Sequence, residues 1–148
     1  MRPYVVRDGS LEDMPALRLI HESSMRPHIE AQFGSWGSAQ IERFERTTKP
    51  EEHQILEVNG SPIGCVLIKV ESDYIRLVRI YLLPEYQNQG IGSDFLKYLF
   101  RKADSCGLPV RLQVLKVNRA ADLYKRLGFA SIDETETHYI LERQPNDA

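Results

Sequence analysis

Ten residues, "PEYQNQGIGS" (Pro84 to Ser93), separate an apolar run, "YIRLVRIYLL", from a helix-like run, "DFLKYLFRKA". The first run is rich in β-branched and aromatic residues and reads as a strand; the second puts Phe95, Leu96, Leu99 and Phe100 on one helical face. The chain must therefore pass from strand to helix within a short polar loop that carries Gly90 and Gly92. Such a loop aims several backbone N–H groups at one place, and the helix N-terminus adds partial positive charge, so the pair makes an anion site. Glycine lets a bulky phosphate approach those amides, and Gln87 and Gln89 add uncharged donors at the rim. The plainer alternative is a turn whose glycines serve backbone conformation alone. Rossmann and Walker patterns are absent, since Phe95 stands where a third glycine would fall and no Gly-Lys-Ser/Thr occurs.

The rest of the chain frames this unit. "YVVR" at Tyr4–Arg7 reads as a short strand, and Ser10 as the N-cap of a helix whose apolar stripe is Leu11, Met14, Leu17, Leu19 and Ile20. Pro27 is expected to interrupt it. Ile29, Phe33, Ile41 and Phe44 continue the helical pattern on either side of Gly34 and Gly37, a bend that carries the only tryptophan, Trp36. From His53 the period changes to that of strands, with Asn59-Gly60 as a hairpin turn. "VRLQVLKV" is a further strand. "NRAADLYKRLGF" is a helix opened by Asn118 and closed by Gly128, "ETHYILER" a last strand, and 144–148 a frayed tail. The order of elements predicts a mixed α/β sheet covered by helices, in one domain spanning 1–148.

Composition narrows the partners. The 148 residues carry a formal charge of -2 and a pI of about 6.1, which supplies no basic field for nucleic acid. Cys65 and Cys106 read as reduced thiols, and neither a secretory leader nor a membrane-spanning run is visible. The expectation is a cytoplasmic protein, monomer or homodimer, that binds neither nucleic acid nor membrane. No Gly-x-Ser-x-Gly elbow occurs, and His21, His28, His53 and His138 have no metal-ligand spacing, so no metal is expected.

Taken together, "IYLLPEYQNQGIGSDFLKYLFRKA" and "LQVLKVNRAADLYKRLGF" resemble the GNAT superfamily of acetyl-CoA-dependent N-acetyltransferases. Gln87, Gly90 and Gly92 match the family's glycine loop, and Asn118, Ala121, Tyr124, Gly128 and Phe129 match its downstream motif. The motifs span Ile80 to Phe129; the first fifty residues match only as a generic two-helix region. The resemblance implies a mostly antiparallel central sheet with a splayed strand pair, flanked by helices, and acetyl-CoA as co-substrate. It implies that Ile80, Tyr81 and Leu82 offer backbone groups to the pantetheine arm. The segment Gln87, Asn88, Gln89, Gly90, Ile91, Gly92, Ser93 would hold the pyrophosphate, with Asn118 and Ala121 beside the coenzyme. Tyr124 would protonate the departing thiolate after direct attack by an amine.

The base and the acceptor are less legible. Gln113 stands where the branch that acetylates ribosomal-protein N-termini keeps a glutamate, which points instead to a small-molecule amine. Glu30, Glu57, Glu71 and His138 are the titratable candidates for a base. Arg26, Glu30 and Trp36 form a mixed set for the acceptor, Arg26 for a carboxylate and Glu30 for an ammonium. A protein N-terminal or lysine acetyltransferase is the alternative, and a non-catalytic acetyl-CoA-binding module a third reading.

Overall fold

The computed structural model describes residues 3–146. Seven strands form one sheet in the order β1-β2-β3-β4-β5-β7-β6, mostly antiparallel and flanked by helices. The elements in chain order are β1 (Val5–Asp8), α1 (Met14–Phe33), α2 (Ser38–Thr47), β2 (Gln54–Val58), β3 (Ser61–Val70), β4 (Ile75–Leu82), α3 (Ile91–Cys106), β5 (Val110–Leu115), α4 (Ala120–Arg126), β6 (Ala130–Glu134) and β7 (His138–Arg143). The chain divides into two compact units: one holds the residues up to Leu67 with Arg79–Gly92, the other Ile68–Val78 with the residues from Ser93 onward.

In the first unit, Leu17, Ile20, Phe44, Ile55 and Cys65 form a buried cluster, with Met14, Tyr81 and Leu83 packed against it. The predicted hairpin turn is present: Asn59 and Gly60 adopt φ of 51° and 78°, and Val58 pairs with Ser61. Pro27 does not end the first helix. It lies inside α1, which runs on to Phe33 and stops at Gly34, in the left-handed region with φ 90°. Proline removes one backbone donor from the ladder, a local cost that a 20-residue helix absorbs when its core face is buried. Of the expected stripe, Leu17 and Ile20 are buried, whereas Leu11, Leu19, Phe33 and Ile41 are exposed.

Ser10 caps a short 3₁₀ turn, Leu11–Asp13, rather than α1 itself; its N–H donates to Asp13 Oδ2 at 2.8 Å. Arg7 donates twice to Asp13, at 2.9 and 2.8 Å, and its Nε lies 3.0 Å from Glu57. The guanidinium holds the Asp13 carboxyl down to about 2. Glu57, a candidate base in the sequence, is thereby tied into a structural ion pair.

In the second unit, Phe95, Leu96, Leu99 and Phe100 of α3 are all buried, as their spacing predicts. Phe100 packs on Phe129 at 5.7 Å, and Arg143 lies 4.2 Å over the Phe100 ring while pairing with Asp104 at 3.0 Å. β5 is antiparallel to β7 through six residue pairs, but parallel to β4 over two, Ile75↔Val110 and Arg76↔Arg111. Among the described residues the β4–β5 ladder ends there, although β4 runs on to Leu82 and β5 to Leu115. β6 was not anticipated from the sequence. All five of its residues are exposed, so it carries no burial pattern for periodicity to read. In the expected tail, the Asn146 N–H donates to Asp104 Oδ1 at 2.9 Å; residues 147–148 lie outside the described residues.

Candidate active site

Between β4 and α3 the chain makes a 3₁₀ turn, Pro84–Tyr86, and then the glycine loop. Asn88 and Gly90 both adopt positive φ, 60° and 84°, the left-handed conformation that recurs in backbone loops able to cradle an anion. The loop feeds a 16-residue helix whose first N–H groups have no intrahelical acceptor. Gly92 differs from Gly90, because it is helical and its φ is not positive. A Cβ built on it would meet only Leu82 Cδ1, at 3.7 Å, an ordinary contact. Among the described residues, that contact does not require glycine at position 92. This donor set, a left-handed loop at the N-terminus of a long helix, fits a pyrophosphate.

Both glutamines also bond within the loop. Gln87 Nε2 donates to the Leu82 carbonyl at 2.8 Å, and Gln89 Nε2 donates to the Glu85 carbonyl at 2.7 Å, so both brace the loop. Ser24 Oγ, on α1, donates to the same Leu82 oxygen at 3.1 Å. Leu82 therefore has an occupied carbonyl, and its N–H neighbour Leu83 donates to Ile63. Ile80 and Tyr81 are half-buried.

In the second unit, Asn118 caps α4: its Oδ1 accepts from the Ala120 N–H at 2.9 Å, and its own N–H donates to Leu115. Ala121, the second residue of α4, is buried. Tyr124 is half-buried, with its ring edge-on to Phe129 at 5.7 Å. Tyr139 lies under Lys116 and Lys125, at 5.4 and 5.3 Å. His138 shares a hydrogen bond with Thr137 Oγ1 at 2.7 Å, and burial lowers its pKa. Gln113 is exposed on β5 opposite Ile140. Glu71 is exposed in the turn after β3.

The acceptor candidates separate. Arg26 pairs with Glu22 at 3.2 Å and with Glu30 at 3.4 Å along the exposed face of α1. Two residues expected to hold opposite ends of a zwitterion thus neutralise each other. Trp36, by contrast, faces inward: its Nε1 is buried without a hydrogen-bond partner. It stands 5.6 Å from the His21 ring, which stacks on Phe44 at 4.2 Å and tilts against Tyr81 at 5.7 Å. Arg79 places its guanidinium 5.6 Å over Phe44 and 5.7 Å over Tyr81.

Burial, aided by the Arg79 charge, lowers the His21 pKa to about 4 and burial pushes the Tyr81 hydroxyl up to about 12. Burial also pushes the Cys65 thiol up to about 12, which removes it as a thiolate nucleophile at neutral pH.

Sequence reading missed His21, Tyr81 as a side chain, and Arg79. The signal for Arg79 was present: with Ile75 and Leu77 buried, period-2 alternation puts Arg79 and Tyr81 on the same inward face of β4.

The His21 burial has a measurable consequence. An unfolded chain binds its proton near pH 6.5, whereas the folded His21 does so only near pH 4. Stability should therefore fall as pH drops through that window, by up to about 1.4 kcal/mol per pH unit from this group. His28, His53 and His138 are shifted the same way by burial. Melting curves from pH 7 to pH 4 should show the fall, and His21→Phe, which keeps a stacked ring, should flatten it. An identical slope in the variant would remove His21 as a source.

A family model described as "Acetyltransferase (GNAT) family" matches residues 17–129. The thialysine N-epsilon-acetyltransferase of Bos taurus is 47% identical over 95 residues, 56% of this chain and 56% of that protein. The chain thus spans about half the length of this curated relative. The [ribosomal protein bS18]-alanine N-acetyltransferase of Haemophilus influenzae is 28% identical over 122 residues, 81% of this chain and 79% of that protein. A crystal structure of the PaiA N-acetyltransferase from Thermoplasma acidophilum, in complex with coenzyme A, superposes with a TM-score of 0.76 at 22% identity, covering 96% of this chain and 99% of the other. Among the described residues, no helix is long and apolar enough to cross a membrane, and no group of three or more His, Cys, Asp or Glu could hold a metal.

Proposed function

The chain belongs to the GNAT acetyltransferase family, and from that premise we propose that it is a cytoplasmic N-acetyltransferase that moves the acetyl group of acetyl-CoA to the primary amine of a small molecule. The observation that carries this reading is the glycine loop, whose left-handed Asn88 and Gly90 lie just before the head of α3, a combination suited to an anion. In this reading residues 1–148 act as one catalytic domain. The thioester supplies an activated acyl group, and the remaining chemistry falls to the protein's own side chains and amides. Amides from Gln87 to Ser93 hold the pyrophosphate, and Ile80 and Tyr81 offer backbone groups to the pantetheine arm. Asn118 and Ala121, at the head of α4, are assigned to coenzyme binding as well.

Tyr124 is assigned as the general acid, giving its phenolic proton to the sulfur that leaves, because a bare thiolate is costly in a dry site. Attack is direct: Cys65 is buried and its thiol is held protonated, so no acyl-enzyme through it is invoked. The bovine relative acts by name on an amino-acid side-chain amine, which supports a small acceptor. The Haemophilus relative acts by name on a ribosomal protein and covers more of the chain, which keeps a protein N-terminus or lysine as the second reading. Gln113 cannot serve as a base in that branch's position, and the small amine is preferred for that reason.

Acetyl-CoA at ~100-fold above its dissociation constant should stabilise the fold by about 2.7 kcal/mol, because it binds only the native state. Gly90→Val forces a branched side chain into the left-handed region and should shrink that melting shift in a folded sample. Thiol release from acetyl-CoA, with a panel of small amines and peptides, then reads turnover. The absence of any melting shift at millimolar acetyl-CoA would remove the assignment.

A further inference from the structure

We propose that Arg79, together with the indole N–H of Trp36, forms a carboxylate-binding subsite, and that the amine acceptor is consequently an amino acid or a comparable amino carboxylate. This rests on the acetyltransferase reading and narrows its substrate.

Arg79 sits on the inward face of β4 without an ion pair among the described residues. Its Nε is buried and has no hydrogen-bond partner. Arg79 as a whole is half-buried; its guanidinium lies over Phe44 and Tyr81, a contact that offsets only part of the cost of this partial withdrawal from water. Its nearest titratable neighbours do not neutralise it: its charge acts on His21, His53, Cys65 and Tyr81, none of which is anionic at neutral pH.

Two further donors in the same aromatic cluster repeat the pattern. Trp36 Nε1, a donor only, is buried and unpartnered, and so is His21 Nδ1, a donor in one neutral tautomer. Trp36 reaches this cluster through His21, and His21 through Phe44 and Tyr81, on which Arg79 lies. Water can satisfy orphaned donors but leaves the positive charge uncompensated. A planar carboxylate does both, and it matches the guanidinium fork.

The test uses thiol-release kinetics with the free amino acids, and with the decarboxylated counterpart of whichever amino acid reacts best. Wild type should prefer an acceptor that carries the carboxylate. Arg79→Gln should raise the KM for that acceptor by roughly 30-fold or more, the effect of removing one partner of a buried charge pair, with kcat far less affected. Its KM for the decarboxylated amine should change little. Trp36→Phe keeps the ring and deletes the donor, and should shift the same KM in the same direction by less. An undiminished acetyl-CoA melting shift in each variant reports a folded protein with an intact coenzyme site. Equal losses for the two amines, or a best acceptor without a carboxylate, a peptide included, would overturn the subsite while leaving acetyl transfer standing. Absence of transfer to any amine or peptide would instead overturn the acetyltransferase reading, and the subsite with it.

Discussion

Tyr124→Phe is expected to lower turnover by about 10²–10⁴-fold, the range typical for a lost general acid. The substitution removes one oxygen and keeps the ring, so the edge-on contact with Phe129 and the packing at the end of α4 should persist. The melting temperature and the acetyl-CoA melting shift should therefore stay near wild type while single-turnover acetyl transfer slows. The leaving thiolate would then depart unprotonated, and an acetyl thioester donor whose leaving thiol has a lower pKa should recover part of the rate. Unchanged single-turnover rates would return Tyr124 to a packing role.

The second large effect concerns Gly64 on β3. A Cβ built there would lie 2.5 Å from the Tyr81 carbonyl oxygen and 2.7 Å from Leu82 Cδ2. The leucine tip can rotate away, but the carbonyl belongs to the backbone of β4 and cannot. Gly64→Ala should accordingly destabilise the fold by about 3 kcal/mol, the upper end of ordinary overpacking. For a chain of this size that corresponds to a melting temperature lower by roughly 6–12 °C. Because the displaced strand carries Ile80 and Tyr81, acetyl-CoA should also bind more weakly to the fraction that remains folded. A variant that melts with wild type and binds acetyl-CoA normally would show that β4 tolerates the shift without cost.

How far the sequence foretold this depends on whether a residue's role is local. Asn59-Gly60 specifies its turn through backbone conformations that only a few residues tolerate, and it appears as read. The α3 stripe was equally legible, since one helix face meets one core. Pro27 misled because proline's effect is confined to its own turn: α1 runs past it to Phe33, although its buried residues, Leu17 and Ile20, both precede it. β6 was invisible because exposed strands leave no alternation, and its pairing to β7 is a backbone matter. At the site, the glycine loop could be located by motif, but not the distinction between Gly90, which needs its φ, and Gly92, which does not. Arg26 and Glu30 looked available as a zwitterion pair, although their spacing of four on one helix already predicted that they would meet each other. Arg79 was concealed by its type: an arginine in a strand reads as a solvated charge until its neighbours two residues away prove to be buried.

The carbonyl oxygen of Leu82 takes the side-chain donors of Ser24 and Gln87, from segments that lie 58 and 5 positions away in the chain. A carbonyl has two lone pairs, and both are engaged. Two donors on one oxygen compete for the same electron density, so lengthening one contact tightens the other. The first helix and the glycine loop thus share a load at a single atom. Tension placed on the loop is relayed to the helix as a change in bond strength, without either segment having to unfold.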